Sequence, residues 1–98
     1  MLTREQIRKL QKNLPAADSA VMYVYRALSD PRRYQIVQVL LTQKMLCVTE
    51  VATIFKISVS AASQQLRILE RAGLVKAERR GQIVCYKIAS HRILRLLR

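Results

Sequence analysis

The chain has 98 residues, 51% of them apolar and none of them tryptophan, and it carries 18 Lys and Arg against 6 Asp and Glu, a formal net charge of +12. That length argues for one domain, residues 1–98, with a modest core; no apolar run nears a membrane span and no secretory leader is read, so a cytoplasmic, non-membrane protein is expected. The basic excess predicts a polyanionic partner, either nucleic acid or an anionic membrane surface.

Thr3 opens the first predicted helix. Gln6 stands three residues on to complete a capping box, with Leu2 and Ile7 as a flanking staple. Ile7, Leu10 and Leu14 form one narrow apolar stripe and Arg4, Arg8 and Lys12 the opposite one, before Pro15 ends the helix. A second helix, from about Asp18 to Ser29, is apolar on most sides through Val21, Met22, Val24, Tyr25 and Leu28. Such a helix is buried or pairs with another chain. Asp30 caps a third, with Pro31 at its first position; Tyr34, Ile36, Val37, Val39, Leu40 and Leu41 are its expected core residues. Leu46-Cys47-Val48 reads as a short extended piece. Thr49 then caps a fourth helix with Val51, Ala52, Ile54 and Phe55 inward, and Lys56-Ile57 forms the turn that follows.

The segment from Ser58 to Val75 is a helix with two unlike faces. Ala62, Leu66 and Leu69 recur at i, i+4 and i+7, the spacing of a core-facing side. Ser60, Gln64, Arg67 and Arg71 make a second stripe without an apolar member. Glutamine can pair with base edges, arginine can reach guanine or phosphate, and small residues let a backbone approach closely, so this stripe suits a DNA major groove. Gly73 stands where the helix should stop. Leu74 to Arg79 and Ile83 to Ile88 are predicted strands around a basic tip, Arg80-Gly81-Gln82. His91 to Arg98 reads as a short amphipathic helix. The candidate DNA-binding residues are therefore Ser58, Ser60, Ala61, Ser63, Gln64, Gln65 and Arg67 on the helix, with Arg79, Arg80 and Gln82 at the hairpin.

The run Ser58-x-Ser60-x-x-Ser63-Gln64-x-Leu66, then Leu69 and Ala72-Gly73-Leu74-Val75, resembles the recognition helix of the arsenic-repressor (ArsR/SmtB) family. Leu28-Ser29-Asp30-Pro31-Arg32 resembles the start of the family's preceding core helix, and the resemblance extends from about Leu28 to Ile88. Gln65 departs from it, standing where the family most often has His. The resemblance implies a mainly α winged helix-turn-helix fold with a small antiparallel wing. It implies a homodimer joined by the first and last helices, 1–15 and 91–98. It also implies a sequence-specific repressor of an imperfectly palindromic operator, with two recognition helices about 34 Å apart. Arg79, Arg80 and Gln82 would lie at the wing, where phosphate contact positions the protein. A sequence-indifferent basic protein that coats nucleic acid is the alternative.

Metal sensing is the best-known activity of that family, and this chain departs from both of its metal boxes. In Leu46-Cys47-Val48-Thr49-Glu50-Val51, Thr49 replaces the second cysteine of the arsenic- and cadmium-type site. In Ser90-His91-Arg92, Ser90 replaces the aspartate and Arg92 the second histidine of the zinc-type site, whose later pair would lie beyond Arg98. A metal needs three or four suitable donors, so no metal site and no cofactor is expected. Nor is an enzyme expected: there is no Ser-His-acid set, no paired carboxylates and no glycine-rich phosphate loop. Cys47 and Cys85 are expected as free thiols in a reducing compartment, small and buried. The resemblance also sets Leu46-Cys47-Val48 beside the second wing strand, and makes the two cysteines a candidate redox pair whose oxidation would strain the wing and loosen DNA.

Overall fold

Side-chain caps fix where the helices begin. In the computed structural model, which describes residues 1–91 and 95, α1 spans Arg4–Lys12 and its box is closed in both directions. The Gln6 amide donates to Thr3 Oγ1 (3.1 Å) and the Thr3 amide to Gln6 Oε1 (2.8 Å). Asp18 caps α2 (Ser19–Leu28), accepting from Ala20 and Val21, and Asp30 caps α3 (Pro31–Thr42), accepting from Arg33 at 3.0 Å. Each such cap supplies a partner for amides that no helical carbonyl can reach, about 1 kcal/mol apiece.

The fourth helix departs from expectation. The extended piece β1 is only Leu46–Cys47, and α4 runs Val48–Phe55, so Cys47 is the N-cap and Thr49 already lies in the first turn. Glu50 decides this: its Oε1 accepts the Cys47 amide at 2.8 Å, the return half of a capping box. At the other end Lys56 takes a left-handed conformation (φ 55°). The Ile57 amide donates to the Ala52 carbonyl and the Lys56 amide to the Thr53 carbonyl, a Schellman closure that turns the chain sharply into α5 (Val59–Arg71). The same closure ends α5: Leu74 donates to Leu69 and Gly73, at φ 79°, to Glu70. Leu69 and Leu74, which this motif brings together, are both buried.

Two strands complete the wing, β2 (Val75–Arg80) and β3 (Ile83–Ile88), and β1 joins them in an antiparallel sheet of order β1-β3-β2. Arg80 pairs with Ile83, leaving a two-residue tip of Gly81 and Gln82; Gly81, first in the tip, has φ 64°. The core lies between α3, α4, α5 and the inner face of the sheet. Ile36, Val37, Leu40, Val51, Ala62, Leu66, Leu69, Leu74 and Val75 are all essentially inaccessible to solvent. Large side chains of this kind contribute about 1.5–3 kcal/mol each through burial.

Two apolar expectations fail here. Tyr34 on α3 and Ile54 on α4 are half exposed, because the core-facing stripes of those helices are filled by Ile36, Val37 and Leu40, and by Val51 and Ala52. On α2 only Ala27 is buried, while Val21, Met22, Tyr23 and Tyr25 face outward. No residue of α1 is buried; Ile7, Leu10 and, just past its end, Leu14 are all exposed. The helix expected from His91 to Arg98 falls largely outside the described residues. One polar tie crosses the helices. Arg33 donates from Nε to the Ala27 carbonyl at the end of α2 (2.7 Å) and from Nη1 to Gln65 Oε1 on α5 (3.0 Å).

Candidate nucleic-acid interface

The capping of α5 sets which residues it presents. Ser58 Oγ accepts the Ala61 amide at 3.0 Å and the Ser58 carbonyl accepts from Ala62. With that start, Ala62, Leu66 and Leu69 turn inward and the opposite flank stays open. Val59, Ser60, Ser63, Gln64, Arg67 and Arg71 line a shallow concavity along that flank. Val59, Ser63 and Arg67, spaced at i, i+4 and i+8, also line a second concavity, shared with Thr49 on α4 and with Arg79, Gln82, Ile83 and Tyr86 on the wing. The ridge carrying these three residues thus runs between two hollows, one open and one roofed by the wing.

The structure separates the two wing arginines. Side chains alternate along a strand, and Arg79, opposite Val84, borders the hollow next to α5. Arg80 points to the other side, where it pairs loosely with Glu78 at 3.8 Å, both ends well exposed. Gln82 joins Arg79 at the hollow. Gln65 also differs from expectation. It is half-buried and its carboxamide oxygen is held by Arg33, because its position on α5 borders the core stripe rather than the open flank. Ala61 is half-buried too and lines neither hollow; Ser58 spends its hydroxyl on the helix cap.

Several residues at this face escaped the sequence reading. Val59 stands directly before Ser60 and one turn ahead of Ser63, and the spacing to Ser63 was the available signal. Tyr86 was assigned only to a strand. Its ring is buried, yet it contributes to the floor of the second hollow. Burial raises its phenol above the ordinary tyrosine range, the Glu70 carboxylate adds to this, and Arg67 and Arg79 oppose it. Arg67 and Arg79 line this hollow together with Tyr86, which places a pair of cations at the junction of helix and wing.

Cys47 and Cys85 face one another across β1 and β3 and are joined by a disulfide, so the expectation of two free thiols is not met. The register is the reason: Leu46 pairs with Tyr86 and Cys47 with Cys85, which puts the two sulfurs on the same side of adjacent strands. All residues from Val75 to Arg80 keep their partners from Ile88 to Ile83 with the bond in place. Among the described residues, no three His, Cys, Asp or Glu side chains lie together as a metal would require, and no described helix is long and apolar enough to cross a membrane.

The sequence pattern described as "Bacterial regulatory protein, arsR family" matches residues 30–77, from the cap of α3 to the middle of β2. A transcriptional repressor SmtB homolog from Synechocystis is 38% identical over 96 residues, covering 96% of this chain and 72% of that protein. The chain belongs to the arsR family of bacterial regulatory proteins. A cadmium resistance transcriptional regulatory protein CadC homolog from Staphylococcus aureus is 32% identical over 95% of this chain and 78% of its own length. A homodimeric winged helix-turn-helix DNA-binding domain from Mycobacterium bovis, solved by NMR, superposes with a TM-score of 0.74 at 31% identity. It covers 86% of this chain and 82% of that one. The fold of this arsR-family member is accordingly a winged helix, with α4 and α5 as the helix-turn-helix and β2–β3 as the wing. Its family is one of transcription regulators rather than enzymes.

Proposed function

We propose that this arsR-family regulator is a cytoplasmic homodimeric repressor that binds a short, imperfectly palindromic operator and works without the family's metal sites. The observation that carries this is the open flank of α5. Ser60, Ser63, Gln64 and Arg67 are presented there beside Arg79 and Gln82, on a chain of net charge +12. In this reading Gln64 and Arg67 reach base edges, Arg79, Arg80 and Gln82 meet the backbone, and Ser58 and Ala61 set the helix end. Gln65 positions α5 through Arg33. The apolar stripe of α1, exposed in the single chain, is the natural seat of a second copy, with 91–98 as its companion.

The absence of a metal requirement rests on Thr49, Ser90 and Arg92 at ligand positions and on Cys47 being engaged with Cys85. Cys47 and Cys85 are proposed as a redox pair: a hydroperoxide oxidises the two thiols to the disulfide, leaving an alcohol and water. In this reading formation of the bond beside the wing loosens DNA binding, and its reduction restores it.

The test is selection of bound fragments from random DNA, followed by footprinting in excess competitor. A repressor gives a protected palindrome whose affinity falls with salt at a log–log slope of magnitude ~5 or more, from about 0.9 per neutralised phosphate. Protection without sequence preference would make the chain a coating protein instead. Zinc, cadmium or a chelator should leave the affinity unchanged.

A further inference from the structure

The outer flank of α5 carries two apolar side chains, Val59 and Ile68, and Ile68 is half-buried against the core. Val59, the first residue of the helix, is 52% exposed. It lies one and two turns ahead of Ser63 and Arg67, and these are the three helix residues that line both hollows. It borders Val48, Ile83 and Val84 in the second hollow but is not packed into the core, whose α5 side is supplied by Ala62, Leu66 and Leu69. Single exposed apolar residues need no explanation in general. This one stands at the N-terminal end of the helix, the part of a helix-turn-helix that meets base edges.

The chemistry of the major groove narrows what Val59 can meet there. Each base edge offers donors or acceptors, and thymine alone adds an apolar group, its C5-methyl. An isopropyl group neither donates nor accepts. Pressed against a purine N7 or a cytosine amino group, it would strip water from a polar atom and return nothing. Against a thymine methyl it removes apolar surface from water on both sides.

We propose that Val59 is a specificity-determining residue that reads the C5-methyl of one thymine in each half-site. The inference rests on α5 lying in the major groove. It adds an apolar element to a readout otherwise made of hydrogen bonds from Gln64 and Arg67.

The experiment uses the selected operator, with each thymine replaced in turn by deoxyuridine, which removes the methyl group and nothing else. Wild-type protein should lose about fourfold in affinity at one position per half-site, and about fifteenfold when both are replaced, the worth of one buried methyl group each time. Val59→Ala should bind the thymine operator about as weakly as the wild type binds the uracil one, and should lose nothing further on uracil. Ile83→Ala, which removes the exposed apolar side chain of the wing, should keep the full methyl sensitivity. Circular dichroism should show Val59→Ala folded, since alanine suits the first turn of a helix. Gln64→Ala separates the two levels of the argument. If it weakens binding while wild type ignores every thymine-to-uracil change, or while Val59→Ala keeps the sensitivity, the assignment of Val59 is overturned and the placement of α5 stands. If Gln64→Ala also binds normally, the placement of α5 falls with it.

Discussion

The part of the chain from Pro31 to Ile88 closes on itself, and the part before it does not. From α3 to β3 the apolar stripes of three helices and the inner face of the sheet meet in one core, with Ile36, Leu40, Leu66 and Leu69 fully buried. In α1 and α2 the stripes are as apolar in sequence, but α1 buries nothing and α2 buries Ala27 alone. The lesson is that amphipathic spacing states a need for cover and says nothing of where the cover comes from. A chain this small, with a limited core of its own, would gain stability from a second copy that covers those stripes.

Substituting across that divide should expose it most strongly. Leu66→Ala should lower the unfolding free energy by about 2–5 kcal/mol, whereas Leu10→Ala should leave it within about 0.5 kcal/mol in dilute protein. Leu10→Ala should instead weaken self-association, read by analytical ultracentrifugation. Equal losses of stability in urea titrations of the two dilute variants would erase the distinction. Deleting Arg4 to Leu14 should leave a folded monomer; an unchanged dimer would move the interface to α2.

The disulfide sharpens the same comparison, because it ties elements of the closed part only. It spans 38 residues between β1 and β3. Its reduction should therefore lower stability by about 2–4 kcal/mol, seen as a shift in urea midpoint with reductant and reproduced without reductant by Cys85→Ser. No shift in either case would mean that β1 is held by packing alone.

Within α5, Gln64→Ala should weaken operator binding by about 1–3 kcal/mol and relax specificity at one base. Gln65→Ala should act mainly on stability, by about 1 kcal/mol, through the lost Arg33 contact. Affinity measurements on a panel of operator variants decide it, and a base-specific effect of Gln65→Ala would contradict the interior role. At the corner between α4 and α5, Lys56→Gly should raise stability by about 1 kcal/mol, since glycine takes φ 55° without the crowding a side chain brings. A loss would show that the lysine side chain is needed there. The smallest effect is confined to alkaline solution. The Tyr86 phenol is raised in the folded state, so its contribution is intact below the ordinary tyrosine value of about 10 and is lost as pH climbs through the higher folded value. Absorbance titration should show one tyrosine ionising after the others; four indistinguishable tyrosines would argue against it.

Much of this architecture was legible in the residues. Thr3 with Gln6, Asp18, and Asp30 with Pro31 named three helix starts, because a cap is a local bargain between side chain and neighbouring amides. The strand pairing of Leu46 and Cys47 with β3 followed from the family resemblance. What escaped was decided by neighbours distant in sequence. Gln65 looks identical to Gln64 until Arg33, 32 residues earlier, claims it. Arg79 and Arg80 differ only in which face of β2 the pairing register gives them. Cys47 became a cap because Glu50 reaches back to its amide, a choice that competed with Thr49 on nearly equal terms. Ile54 and Tyr34 fall beside filled stripes, which spacing alone does not reveal.

Arg33 ties the end of α2 to α5. Its guanidinium holds the last turn of α2 through the Ala27 carbonyl and the middle of α5 through Gln65, and its own amide is fixed by Asp30. A planar fork can serve two such acceptors at once, whereas a lysine ammonium would present a mobile point charge. Were α2 to meet a second copy, its movement would draw on the same side chain that steadies α5. Where two binding events share a group in this way, the influence runs in both directions with equal free energy. If the proposed dimer uses that link, DNA that shifts α5 would alter the affinity between subunits by the factor with which the subunits alter the affinity for DNA.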